Sequence, residues 1–287
     1  MILSLQVGIT SSGDECARAD RPGLYTRLAY YTDWIEQVLN ASQMTTENPA
    51  LTSSQQPEPL VTFACNRNSS CGCGVNDVRI GQSHILDSEA AIPHSWPMLV
   101  SIRTDVRAQH TCSGTILSSL FILTAAHCVS RIFPVDLDSV SVAVAIHNRS
   151  DQTAMVRRVK RLIIHPKWVT SNIDRLHDIA ILELVRPFDL GLAYHTARTC
   201  LPHLNFSIPI SQYPANNTRL MTVGWSTPLS GNVTPSEMLQ QVQILLIDRN
   251  HPSCNATLYN GENQLCAGSY DGIQGEFICL INHCSIS

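Results

Sequence analysis

The chain has 287 residues, 44% of them hydrophobic, with 23 acidic against 19 basic side chains and a formal charge of −4. That length and apolar share allow a two-lobed domain with a buried core and exclude a disordered chain. The mild negative charge and scattered arginines offer no basic surface to nucleic acid or an anionic membrane, and no apolar run is long enough to span a bilayer. Eleven cysteines, mostly in locally paired spacings, point to an oxidising compartment. Asn-X-Ser/Thr sites at Asn40, Asn68, Asn148, Asn205, Asn216, Asn232 and Asn255 agree with a secreted glycoprotein.

In chain order, Trp34, Ile35, Val38 and Leu39 fall on one face at helical spacing. Residues 41–64 are rich in Ser, Thr, Gln and Pro without periodicity and read as a solvated linker. Cys65, Cys71 and Cys73 follow, and with no fourth ligand at suitable spacing they predict disulfides rather than a metal site. From Met98 onward the chain is a succession of short Val-, Ile- and Leu-rich stretches with turn residues between them. These are Met98–Arg103, Thr115–Ala125, Val140–Ile146 and Val156–Ile164, and they predict an all-β barrel. Residues 218–268 hold two more such stretches, Leu220–Trp225 and Leu239–Ile247.

The stretch that orders the rest is Leu123-Thr124-Ala125-Ala126-His127-Cys128. A lone histidine in an apolar run is more often a core residue bonded to a backbone carbonyl. Two further patterns change that reading: Cys112-Ser113-Gly114-Thr115 upstream, and Asp178 followed by Ile179-Ala180-Ile181-Leu182-Glu183-Leu184 downstream. An imidazole can take a proton from a serine hydroxyl when a carboxylate holds its other nitrogen. Asp178 opens a buried strand and is preferred for that role over Asp174, which has no apolar strand directly after it.

These three motifs, in this order, resemble those of the chymotrypsin and trypsin family of serine proteases. The resemblance implies a two-lobed antiparallel β-barrel fold and acyl transfer from a peptide to serine, with no cofactor and no metal. His127 would act as general base and then acid, and Asp178 would orient it. It further implies protein or peptide substrates or inhibitors as partners, with no nucleic acid and no membrane span. Disulfides Cys112–Cys128 and Cys254–Cys266 are expected from it, the first closing a loop of about 16 residues worth roughly 3 kcal/mol. Cys73 would tether the peptide 65–84 to Cys200, with Cys65 and Cys71 paired locally, and Ile85 would be the activated amino terminus. Ile85 follows His84 and lacks the family's two glycines.

The resemblance also covers the front of the chain, out of order. Val7-Gly8-Ile9-Thr10-Ser11-Ser12-Gly13 resembles the family's cleft-lining strand, with Ser12 where tryptophan is usual, and Arg21-Pro22-Gly23-Leu24-Tyr25-Thr26-Arg27 resembles its closing strand before a terminal helix. Residues 1–40 thus read as the C-terminal remnant of a preceding domain, 41–64 as linker, 65–84 as an activation-type peptide, and 85–287 as a peptidase domain truncated before its nucleophile, within a tandem protease. After Cys266-Ala267-Gly268 the family's Gly-Asp-Ser-Gly-Gly is absent, and Ser285 has neither the flanking glycines nor oxyanion donors. The second barrel is therefore expected to be incomplete, with residues 5–40 folding back onto 218–268 and Cys16 near Cys279 or Cys284. Two functions remain open: a serine endopeptidase whose given segment is inactive, or a noncatalytic homologue that binds proteins outside the cell.

Overall fold

The computed structural model describes residues 5–12, 22–41, 61–63, 69–80, 88–104, 109–130, 137–151, 154–169, 176–202, 209–225, 236–255, 258, 260–268 and 277–281. The chain opens with β1 (Gln6–Ser12), β2 (Gly23–Arg27), α1 (Leu28–Asn40), β3 (Val61–Phe63), β4 (Val78–Ile80) and β5 (Glu89–Ala90). The first lobe follows: β6 (Leu99–Thr104), β7 (Gln109–Ile116), β8 (Phe121–Thr124), α2 (Ala126–Ser130), β9 (Ser141–Val144), β10 (Met155–Ile164) and β11 (Ala180–Leu184). The second holds β12 (Arg219–Gly224), β13 (Gln240–Leu246), α3 (Pro252–Asn255), β14 (Gln264–Gly268) and β15 (Phe277–Ile281).

Strands β6 to β11 close a barrel in the order β10-β11-β8-β7-β6-β9. Its interior is Val100, Ile102, Ile116, Ile122, Leu123, Val142, Ile181 and Leu182, all buried. The single stretch expected over Thr115–Ala125 is two strands, because the backbone turns at Ser118 and Leu117 N–H donates to Phe121 O at 2.9 Å. The stretch is apolar on both sides of Ser118-Ser119, and the two serines favour a turn over continued pairing. Gly114 lies where β7 crosses β8: a Cβ would sit 2.9 Å from Leu123 O and 3.0 Å from Ile122 Cγ2, so no larger residue fits beside the histidine motif.

The second lobe is a seven-stranded sheet, β12-β15-β1-β2-β14-β13-β5, with β12 also pairing β13. The front of the chain is built into it. β2 pairs antiparallel with β1 and with β14, which places Tyr25 opposite Leu265 and Leu24 opposite Cys266. β15 runs parallel to both its neighbours, β1 and β12, in a sheet whose other ladders are antiparallel. Helix α1 then crosses to the first lobe, where Leu28, Tyr31, Ile35 and Leu39 join that barrel's core. Strand β1 serves both sides, Ile9 packing in the first core and Val7 in the second. Buried Gln6 knits the seam: its Oε1 accepts from Thr115 Oγ1 and Thr199 Oγ1, each at 2.9 Å.

Three disulfides join described residues: Cys112–Cys128, Cys254–Cys266 and Cys71–Cys200. The last corrects the expectation that Cys73 bonds Cys200. Gly72 N–H donates to Arg198 O at 2.7 Å and Cys71 bridges Arg198, so it is Cys71 whose Cα lies 5.2 Å from that of Cys200. Cys73 is itself disulfide-bonded. The expected places of Cys16, Cys65, Cys284, Ser285, Ile85 and Asp174 lie outside the described residues.

Candidate active site

His127 stands in the first turn of α2, directly after β8. The Cys112–Cys128 disulfide binds this turn to β7, with Cα atoms 6.1 Å apart. Asp178 sits two residues before the start of β11, which pairs with β8 so that Ala180 lies opposite Thr124. Adjacent strands in the barrel therefore bring together two side chains 51 positions apart. His127 Nδ1 and Asp178 Oδ2 are 2.7 Å apart, and Asp178 Oδ1 accepts from the His127 backbone N–H at 2.8 Å. The carboxylate is fully buried while the imidazole keeps 14% of its surface exposed. Charge-assisted bonds of this kind are stronger than neutral ones, and burial sharpens their directionality.

Two further residues hold Asp178, and both come from the front of the chain. Ser11 Oγ donates to Asp178 Oδ2 at 2.6 Å, and Thr26 Oγ1 donates to the Asp178 backbone carbonyl at 2.9 Å. Both are almost wholly buried. Nothing in the residues around Ser11 marks it for this role, since the 167 positions to Asp178 are closed only by the seam between lobes.

The residue before Asp178 is also fixed. His177 adopts a left-handed backbone, φ 56°, which most side chains avoid. Its ring stacks on His165 with centroids 4.9 Å apart and planes 6° from parallel, and Tyr31 of α1 bonds its Nδ1 at 2.9 Å. Burial, the paired histidine and Lys167 push His165 down to about 4, and burial with Lys167 lowers His177. Burial raises Tyr31 and keeps its hydroxyl protonated. Both imidazoles are therefore held neutral, which suits two rings stacked face to face.

The Cys112, Cys128 and His127 side chains cluster closely enough to suggest a metal site, but both sulfurs are spent in the disulfide and cannot serve as thiolates. Of the residues singled out in the sequence, the structure thus brings His127, Asp178, Cys112 and Cys128 together. It sets Cys254–Cys266 behind β2 in the second lobe and the Cys71–Cys200 tether at the crossing between lobes.

Comparison with known proteins identifies the family. The trypsin family model matches residues 1–35 and 85–279, well over half of the chain. The chain belongs to the trypsin family. It is 25% identical over 291 residues to transmembrane protease serine 9 of Rattus norvegicus, covering 92% of this chain but spanning only about a quarter (26%) of that protein. It is 28% identical over 194 residues to chymotrypsin-like elastase family member 3A of Homo sapiens, covering 66% of this chain and 67% of that one. The solved structure of neuropsin, a serine protease expressed in the limbic system of mouse brain, superposes with a TM-score of 0.51. It shares 24% identity and covers 66% of this chain and 78% of its own, a likeness of fold.

Proposed function

We propose that this chain carries the proton-handling half of a serine endopeptidase centre and lacks the attacking hydroxyl, so that as given it does not hydrolyse peptide bonds. In this reading His127 is the general base, Asp178 orients it through Nδ1, and Ser11 holds the carboxylate. The observation that supports it is the 2.7 Å contact of His127 with a fully buried carboxylate, in a sequence that contains no Gly-Asp-Ser-Gly-Gly. That motif would bring the nucleophile and the oxyanion amides together. The residual catalysis attributed to triad variants of this family rests on the oxyanion hole and binding, so its loss removes that remainder as well.

Protein or peptide ligands fit the family, and Ile85 is the proposed activation point, with the Cys71–Cys200 bond keeping the preceding peptide attached. Secretion agrees with three described disulfides and with the exposure of sequon residues Asn40, Asn148 and Asn255. The domain division at 40, 64 and 84 is kept as part of the same proposal. The second reading, a noncatalytic homologue that binds protein partners outside the cell, is favoured by the same absent motif beside an otherwise well-packed first lobe.

Incubation of the purified chain with a labelled fluorophosphonate, read by intact mass, tests the proposal. No adduct is expected under conditions that label trypsin completely. A stoichiometric adduct mapped to one serine would overturn it.

A further inference from the structure

In the second lobe, a cavity of about 370 Å³ is lined by Arg27, Pro214, Asn216, Leu246, Asp248 and Arg249, among others. Ligand pockets run from roughly 300 to 1,000 Å³, so this one exceeds what a bare ion needs and fits a body of monosaccharide or amino-acid size. Its charge is unusual. Arg27 is only 4% exposed. It spends Nη1 on the carbonyls of Ile210 and Tyr213, and Nη2 on those of Gly261 and Gln264. Its Nε is buried with no acceptor, and among the described residues no carboxylate pairs with the guanidinium.

The second cation stands close by. Arg249 is exposed and lies across Gly261, where a Cβ would meet its Cδ at 3.0 Å and its Nη1 at 3.4 Å. It has no ion pair among the described residues. The one carboxylate in the lining, Asp248, is committed to its own loops: Oδ2 accepts from Asn216 Nδ2 at 2.6 Å and Oδ1 from the Asn250 N–H at 2.8 Å. Burial and the neighbouring Arg249 hold the Arg27 guanidinium down to about 10, the direction expected of a buried positive charge facing another. A buried charge without a counter-charge is costly, and an anion entering the cavity would offset part of that cost.

We propose that this cavity is a binding site for a small molecule carrying one oxyanion group, with Arg249 as the contacting cation and Arg27 as the fixed charge behind it. The class includes sugar sulfates and phosphate monoesters. An uncharged analogue of the same size would lack the interaction that both arginines supply. The site lies in the second lobe, built from β2, the segment 210–216 and the turn 247–250, and it does not depend on any activity at His127.

The test is isothermal titration of the full chain with N-acetylglucosamine 6-sulfate, unsulfated N-acetylglucosamine and inorganic sulfate at one ionic strength. Saturable binding of the sugar sulfate is expected, at least tenfold tighter than either control. Arg249→Gln should weaken it at least tenfold while leaving the unfolding midpoint unchanged. Gly261→Ala, which displaces the Arg249 side chain, should weaken it in the same direction. Equal binding of the unsulfated sugar or of free sulfate would overturn the proposal, as would undiminished binding by Arg249→Gln or no binding of the sugar sulfate at all.

Discussion

Truncation of Ile35 to alanine tests whether the front of the chain is a working part of the fold. Ile35 is fully buried and shares a core with Val100, Ile122 and Ile181 of the first barrel, although it reaches them from α1. Removing three carbons from a close-packed site loses their transfer free energy and leaves a cavity, typically 2–5 kcal/mol for Ile→Ala, and we take about 3 kcal/mol here. For a chain of this size that is a fall of roughly 6–12 °C in Tm. The assay is urea unfolding followed by tryptophan fluorescence and far-UV circular dichroism, with the midpoint lowered and the slope unchanged. Gln37→Ala, on the exposed face of the same helix, is the control and should stay within about 0.5 kcal/mol. If Ile35→Ala behaved like Gln37→Ala, α1 would not be docked and the seam between the lobes would be wrongly drawn.

Two other outcomes follow from the site. Replacing Cys112 and Cys128 together by alanine opens a loop of 16 residues and should cost about 3 kcal/mol in the same unfolding assay, with faster hydrogen exchange at the amides of α2 beside His127. Stability should also fall as pH drops from about 6.5 to 4. His165 and His177 titrate lower in the folded protein than in the unfolded chain, so in that window the unfolded state binds more protons and gains. With both rings partly exposed, solvent screening reduces the effect to about 1 kcal/mol. Thermal melts from pH 4 to 8 read it directly, and His165→Phe should flatten the profile; an unchanged slope would mean that the stack does not set it.

Legibility from sequence follows the range of the interactions. The run Leu123–Cys128 and the strand after Asp178 are each contiguous, and pairing of neighbouring barrel strands carries one to the other, so local pattern suffices for that contact. The trypsin-like fold was readable for the same reason. The hydroxyl of Ser11 was not, because its neighbours in sequence specify only a strand; the ladder between β1 and β2 and the Gln6 bonds at the seam decide where that strand lies. The tether shows the limit at finer scale. Cys71 and Cys73 are equivalent as residue types, and the backbone bond from Gly72 to Arg198 selects between them. The direction of β15 was equally hidden, since an apolar strand carries no signal that separates parallel from antiparallel insertion. The turn at Ser118 split an apolar stretch for a reason that the residues did carry, namely the serine pair.

Ser11 and His127 meet on one buried carboxylate within a single polypeptide. Proton NMR of the full chain tests it most directly, through the Nδ1–H signal of His127. The expected result is a resonance far downfield of the amide envelope that is lost in Asp178→Asn and moves in Ser11→Ala, because both donors share Asp178 Oδ2. A resonance indifferent to Ser11→Ala, or none in the unsubstituted chain at any pH, would contradict it.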